Sequence, residues 1–175
     1  AYTSLVDSMV NYCLIPEVPF TLDKLLASLE ARIARRGHAV IAVAEGAGQN
    51  LFATSLGTDA SGNQKLGDIG ILLRDAIKAH FRARDISLSL KYIDPSYIIR
   101  SVPANAFDSA FCLLLGHNAV HAGMAGITKA VVGNWRNEFT IVPIELAVSS
   151  RKKIDPEGRL WNSVLASTGQ PHDLT

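Results

Sequence analysis

"NYCLIPEVPFTLDKLLASLEARIARRGHAVIAVAEG", residues 11–46, decides the fold class. Both ends are short, continuous apolar runs: "NYCLIP" is stopped by Pro16, and "HAVIAVAEG" runs into glycine. Uninterrupted runs of that length read as strands buried on both faces of a sheet. Between them Leu22, Leu25, Leu26, Leu29 and Ile33 fall on one helical face. Arg32, Arg35 and Arg36 suit the negative end of the helix dipole, and Gly37 can end the helix. Two buried strands joined by an amphipathic helix form a βαβ unit, hence a parallel sheet with a right-handed crossover.

Outward from this unit the periodicity keeps alternating. "LGDIGILLRDAIKAHFRA" (66–83) places Ile69, Leu72, Leu73, Ala76 and Ile77 on a second helical face. "DISLSLKYID" (85–94) alternates Ile86, Leu88 and Leu90 with polar neighbours and is expected to be a third strand. "TSLGTDASGNQK" (54–65) has the composition of an exposed loop. "NAFDSAFCLLLGHNAVHAGMAG" (105–126) is a third helix, apolar nearly all round and dense in Ala and Gly, which suits packing against another helix or subunit. The tail from about 134 to 175 is expected to be a packing or hairpin extension, with "GNWRNE" as a turn inside "KAVVGNWRNEFTIVPIEL". Trp135 and Trp161 are expected to pack at an edge. At the other end Leu5, Met9 and Val10 have helical spacing, as if the chain began inside a helix of something longer. The fold class is therefore α/β, a parallel sheet flanked by helices.

Composition excludes several functions. At 175 residues the chain can bury one sizeable core. Seventeen basic and sixteen acidic residues leave no global field to recruit nucleic acid or an anionic membrane. No apolar run approaches a membrane span and no basic leader precedes one, so a cytoplasmic location is expected. Cys13 and Cys112 sit in apolar stretches without metal-ligand spacing and read as buried thiols of a reducing compartment.

In open α/β sheets ligands collect beyond the carboxyl ends of the strands. Three such ends carry polar groups: Glu17 after the first strand, Glu45 after the second, and Lys91 followed by Tyr97 and Arg100 after the third. Carboxylates accept from hydroxyls, Arg offers a bidentate fork and Lys a point charge to phosphate. A sugar phosphate would fit that set, and so would an ordinary solvated sheet edge. His117 and His121 share a helical face but have no carboxylate or thiol at a matching position, so packing or a subunit contact is the expectation. "GAGQN" and "DASGN" do not match a phosphate loop at a strand-to-helix junction. Ser and Cys have no identifiable partner base, and the arginines near 32–36 read as a solvated helix end.

"CLIPEVPF", "VIAVAEGAG", "DASGN…LGDIG", "KYIDPSYIIRSVPANAFD", "AVHAGMAG" and "LASTGQP", in that order, resemble the C-terminal, sugar-substrate part of the 6-phosphofructokinase family. The nearest branch is the one with plant, trypanosomatid and bacterial enzymes. The resemblance implies a Rossmann-like substrate domain: residues 1–175 would be a fructose 6-phosphate-binding domain, a fragment of a longer two-domain enzyme. By the same resemblance, Glu17 would hold sugar hydroxyls. Tyr97 and Arg100 fit a Tyr-x-x-Arg element for the 6-phosphate, where other branches carry His in place of the Tyr. Lys91 would reach that phosphate from a neighbouring subunit. Glu45 acquires no role from it.

The resemblance also implies a glycolytic phosphotransferase, with an allosteric dimer or tetramer as the assembly. Mg²⁺ and ATP, favoured over pyrophosphate, would be held mainly by residues outside this chain, in the missing N-terminal part. The donor glycine loops, the Thr-Ile-Asp-Asn-Asp segment with the base and the Met-Gly-Arg motif do not occur in this sequence. The chain alone is therefore expected to be inactive. The alternative is a non-catalytic sugar-phosphate-binding, regulatory or assembly module.

Overall fold

The computed structural model describes residues 1–52, 57, 58, 60, 62 and 65–175. Most of the 54–65 stretch expected as a loop, with most of "DASGN", lies outside the described residues. In chain order the elements are α1 (Tyr2–Val6), β1 (Tyr12–Leu14), α2 (Leu22–Arg36), β2 (Ile41–Val43), α3 (Ile69–Ala83) and α4 (Ser96–Ser101). They continue with α5 (Ala106–Met124), β3 (Ala130–Trp135), β4 (Glu138–Pro143), α6 (Ile144–Ala147) and α7 (Arg159–Thr168). The chain divides into two compact units, residues 1–94 with 153–175, and residues 95–152. The tail from 134 onward is thus shared between them.

The first unit is the expected βαβ. β1 and β2 run parallel, with Tyr12 opposite Ile41, Cys13 opposite Ala42 and Leu14 opposite Val43. Successive strand residues face opposite ways, and β1 uses both directions. Tyr12 and Leu14 join Leu25, Leu26 and Leu29 of α2 and Ile69, Leu73, Ile77 and Phe81 of α3 in one core cluster. Cys13 and Ile15 join Trp161 and Val164 of α7 in another, with Leu5 of α1 packed against it. Helices therefore cover both faces of β1, whereas β2, expected to be buried as well, is only half-buried along its length. Trp161 is 1% exposed at the centre of the second cluster, not at an edge as its place in the tail had suggested.

The helices begin and end where their residues dictate. α2 closes at Gly37, left-handed at φ 76°. α3 opens with the Asp68 carboxylate accepting from the Ile71 amide. Between α2 and α3, Glu30 accepts from His80 Nε2 at 2.8 Å and from Arg84 Nε at 2.9 Å. α1 is only five residues long: Val10 is buried but Met9 is exposed, so the expected face does not continue through it.

Two expectations fail. Residues 86–94 form no strand. Leu88 and Leu90 do pack against the first cluster, so the period of two chooses the right face, but a strand also needs a hydrogen-bonded neighbour, and among the described residues none pairs with this segment as a strand. Cys112 is exposed, because β3 and β4 pack against only one side of α5, where Phe111 meets Phe139, and bury none of its residues, whereas Cys13 is buried as expected.

In the second unit, β3 and β4 form the expected antiparallel hairpin. Its turn is shorter than "GNWRNE": Trp135 pairs with Glu138, leaving only Arg136 and Asn137 in the loop, at φ 51° and 68°. No residue in this unit is buried.

Candidate functional site

The carboxyl edge of the parallel sheet is assembled by two short loops. The ladder runs on past Leu14, whose carbonyl accepts from Ala44 N at 2.9 Å. Beyond it the chains stay close, since a Cβ on Gly46 would lie 3.0 Å from Pro16 Cγ. Glu17 and Glu45 therefore stand at the same end of the sheet. Glu17 is half-buried, and its Oε1 accepts from the Ile154 amide at 3.2 Å, which orients the carboxylate. Glu45 is exposed, and its backbone carbonyl accepts from Gln49 Nε2 at 2.8 Å.

Gln49 was not singled out in the sequence, yet it stitches this edge together. Besides the Glu45 carbonyl, its amide nitrogen donates to the Gly67 carbonyl at 3.0 Å and its oxygen accepts from Gly67 N at 2.8 Å. The loop after β2 is thereby tied to the residue before Asp68, the cap of α3. Gly48, left-handed at φ 61°, allows the loop to lie against Phe20 and Ile69, where a Cβ would come within 2.9 Å of both side chains. The glycines of "GAGQN" serve close packing, in keeping with their failure to match a phosphate loop.

Lys91 is exposed on the 86–94 segment, which forms no strand. Its neighbour Tyr92 is anchored: the phenol donates to Asp68 Oδ1 at 3.3 Å, and the ring lies where a Cβ on Gly70 would fall. Burial, then the Asp68 charge and hydrogen bond, hold the Tyr92 phenol above the ordinary tyrosine value of 10.0. The alternation Leu88, Leu90, Tyr92 is the sequence signal that could have found it.

Tyr97 and Arg100 lie in the second unit, three residues apart on α4, so they share a face. The Arg100 guanidinium carbon is 4.9 Å from the Tyr97 ring centroid, a cation–π pair. Arg100 Nε donates to the Ser96 carbonyl at 2.8 Å, so anion binding falls to the terminal nitrogens. Both side chains are exposed. Of the expected set, this is the pair that the structure brings together; Glu17 and Lys91 belong to the first unit.

His117 and His121 are exposed on α5, as are Arg35 and Arg36 at the end of α2. Among the described residues no group of three or more His, Cys, Asp or Glu could hold a metal ion. Among the described residues no helix is long and apolar enough to cross a membrane.

Comparison with known proteins bears on this arrangement. Residues 1–123 match the family model described as phosphofructokinase. The chain is 52% identical to an ATP-dependent 6-phosphofructokinase of Amycolatopsis methanolica, over 99% of this chain and 40% of that protein. It is 44% identical to ATP-dependent 6-phosphofructokinase 5, chloroplastic, of Arabidopsis thaliana, over 96% of this chain and 32% of that protein. It is 41% identical to an ATP-dependent 6-phosphofructokinase of Trypanosoma brucei brucei, over 94% of this chain and 34% of that protein. The chain thus spans 40% or less of the length of each of these relatives.

Proposed function

The chain belongs to the phosphofructokinase family, and on that premise we propose that it supplies the acceptor-sugar side of a 6-phosphofructokinase. In this reading Glu17 accepts hydrogen bonds from the hydroxyls of fructose 6-phosphate. Arg100 grips the 6-phosphate, the Tyr97 ring holds the guanidinium in place, and Lys91 adds a second cation. The observation that carries the reading is the Tyr97–Arg100 pair. Two exposed side chains of a six-residue helix are stacked at 4.9 Å, and the guanidinium is fixed through Nε so that its terminal fork faces outward for an anion.

The reaction would be phosphoryl transfer to the sugar's 1-hydroxyl, for which positioning and charge stabilisation supply most of the catalysis. This chain's residues would do the positioning. ATP is the proposed donor, supported by the names of the relatives; its site and the base would lie in sequence that this chain does not contain. The chain by itself would therefore bind the sugar without phosphorylating it. A glycolytic role, a homo-oligomeric assembly in which Lys91 serves a neighbouring copy, and a cytoplasmic location belong to the same proposal.

The test is isothermal titration of the 175-residue chain with fructose 6-phosphate, beside Arg100→Ala and Glu17→Ala. Loss of a charge-assisted phosphate contact should weaken binding about tenfold or more. Affinity that falls in both variants supports the reading. Failure to bind at millimolar ligand overturns the claim that this chain forms the sugar-phosphate pocket. Turnover by the purified chain in a coupled assay would overturn the assignment of donor and base to sequence outside it.

A further inference from the structure

Residues 86–94 pose a problem that the proposed function does not address: how a segment without a ladder holds Lys91 in place. Its side chains still alternate as in a strand. Leu88 and Leu90 pack on the core cluster formed with α2 and α3, and Ser87, Ser89 and Lys91 are exposed. Tyr92, two residues on, is itself 41% exposed, but it adds a polar anchor that Leu88 and Leu90 lack, its phenol on Asp68 Oδ1 at 3.3 Å. The receiving surface is shaped for it. A Cβ on Gly70 would lie 2.3 Å from Tyr92 Cε2 and 2.6 Å from its hydroxyl oxygen, so only glycine admits the ring at the first turn of α3. Asp68 is itself fixed, because the same Oδ1 caps the Ile71 amide at 3.0 Å.

We propose that Tyr92 is the positioning residue for Lys91, pinning the 86–94 segment to the Asp68–Gly70 seat so that Lys91 is presented to the phosphate. Neighbouring residues of an extended segment point to opposite sides. Seating Tyr92 against α3 therefore turns Lys91 away from it. A lysine carries four rotatable bonds and binds phosphate as a point charge. Fixing its backbone removes part of the ordering cost that binding would otherwise meet. The proposal rests on the reading of Lys91 as a phosphate ligand, so its test separates the two.

The measurement is backbone ¹⁵N relaxation over residues 87–93 of the full 175-residue chain, for wild type, Tyr92→Phe, Tyr92→Ala and Gly70→Ala. Gly70→Ala leaves Tyr92 and Lys91 intact and favours a helix by propensity, so loosening in that variant cannot be blamed on loss of α3. Order parameters should fall from the rigid range, about 0.85, towards about 0.6 in Tyr92→Ala and Gly70→Ala. Tyr92→Phe, which keeps the ring, should stay between them and wild type. Unchanged order in both Tyr92→Ala and Gly70→Ala overturns the proposal.

Fructose 6-phosphate titration of Lys91→Ala, Tyr92→Ala and the double variant completes the test. A residue acting through Lys91 adds nothing once Lys91 is gone, so the double variant should bind like Lys91→Ala. Additive losses of about tenfold each would place Tyr92's effect elsewhere and overturn the positioning role. If Lys91→Ala binds as tightly as wild type, the phosphate reading of Lys91 is what fails, and the relaxation data still decide whether Tyr92 orders the segment.

Discussion

Cys13 shows the chemistry of this fold at the scale of one residue. Its amide donates to Gln170 Oε1 at 2.6 Å and its carbonyl accepts from Gln170 Nε2 at 3.4 Å, so a side-chain amide occupies the place of a neighbouring strand on the open edge of β1. Both residues are buried, and a buried donor left without a partner costs about 1–3 kcal/mol. Gln170→Leu should therefore lower the urea midpoint by that much stability, with the slope of the transition unchanged. Nothing local marks this glutamine in the sequence, because its partner is 157 positions away. Glu17 is different: its type and its place after a strand are legible, and for Arg100 the residue type and its spacing from Tyr97 are, although α4 and the hydrogen bonds to Ile154 and Ser96 that orient the two side chains are not. Tyr92 carries a pH prediction. Its phenol is held above 10.0 by burial and by Asp68. The folded state thus favours the neutral form. Its contribution is whole below 10.0 and is lost as pH rises through the higher folded value. Order at residues 87–93, followed by NMR, should decline in strongly alkaline buffer in wild type. In Tyr92→Phe it should stay level.

Elements were legible where a repeat and its cap coincide. α2 shows its apolar face at 22, 25, 26, 29 and 33 and its stop at Gly37, and α3 shows Asp68 at its start, so both could be read with no knowledge of neighbours. Residues 86–94 could be read only halfway: alternation reports which side chains turn inward, whereas a strand is defined by a partner, which alternation does not contain. α7 was missed because "RLWNSVLAST" lies behind a charged loop, although Trp161 and Val164 have helical spacing. The hairpin yields a prediction at this scale. Arg136 and Asn137 both sit at positive φ, as a two-residue turn matching strand twist requires. Arginine is poorly suited to that conformation, which costs an L-residue roughly 1–2 kcal/mol. Replacing the pair with Asn-Gly, the residues such turns prefer, should tighten the β3–β4 ladder and slow amide exchange at its turn-proximal bonds. Exchange at those bonds that does not slow would mean that arginine sits there without appreciable strain.

On the scale of the whole chain, burial is divided unevenly. Every buried residue belongs to the unit of residues 1–94 and 153–175; residues 95–152 contain α4, α5, the hairpin and α6 but no buried side chain. Along α5, Phe107, Leu113, Leu114, Val120 and Met124 are all exposed, Met124 by 84%. The sequence shows that this helix is apolar all round, and hence that it suits a covering layer, but composition names no partner. A unit whose apolar side chains are at most half-buried has less to offset the entropy of ordering it. It should open locally at far lower cost than the other unit. The two cysteines report on this directly, since Cys112 is exposed on α5 and Cys13 is buried in β1. With Ellman's reagent and no denaturant, one thiol per chain should react promptly, and Cys112→Ser should abolish that phase. Cys13 should react only as the first unit unfolds, at a rate that follows its global stability. Two prompt thiols would mean that the β1–α7 core is itself loose. No prompt thiol at high protein concentration, with one appearing on dilution, would mean that α5 is covered by association of the chain with its own copies. The concentration at which the thiol emerges would then measure the strength of that contact.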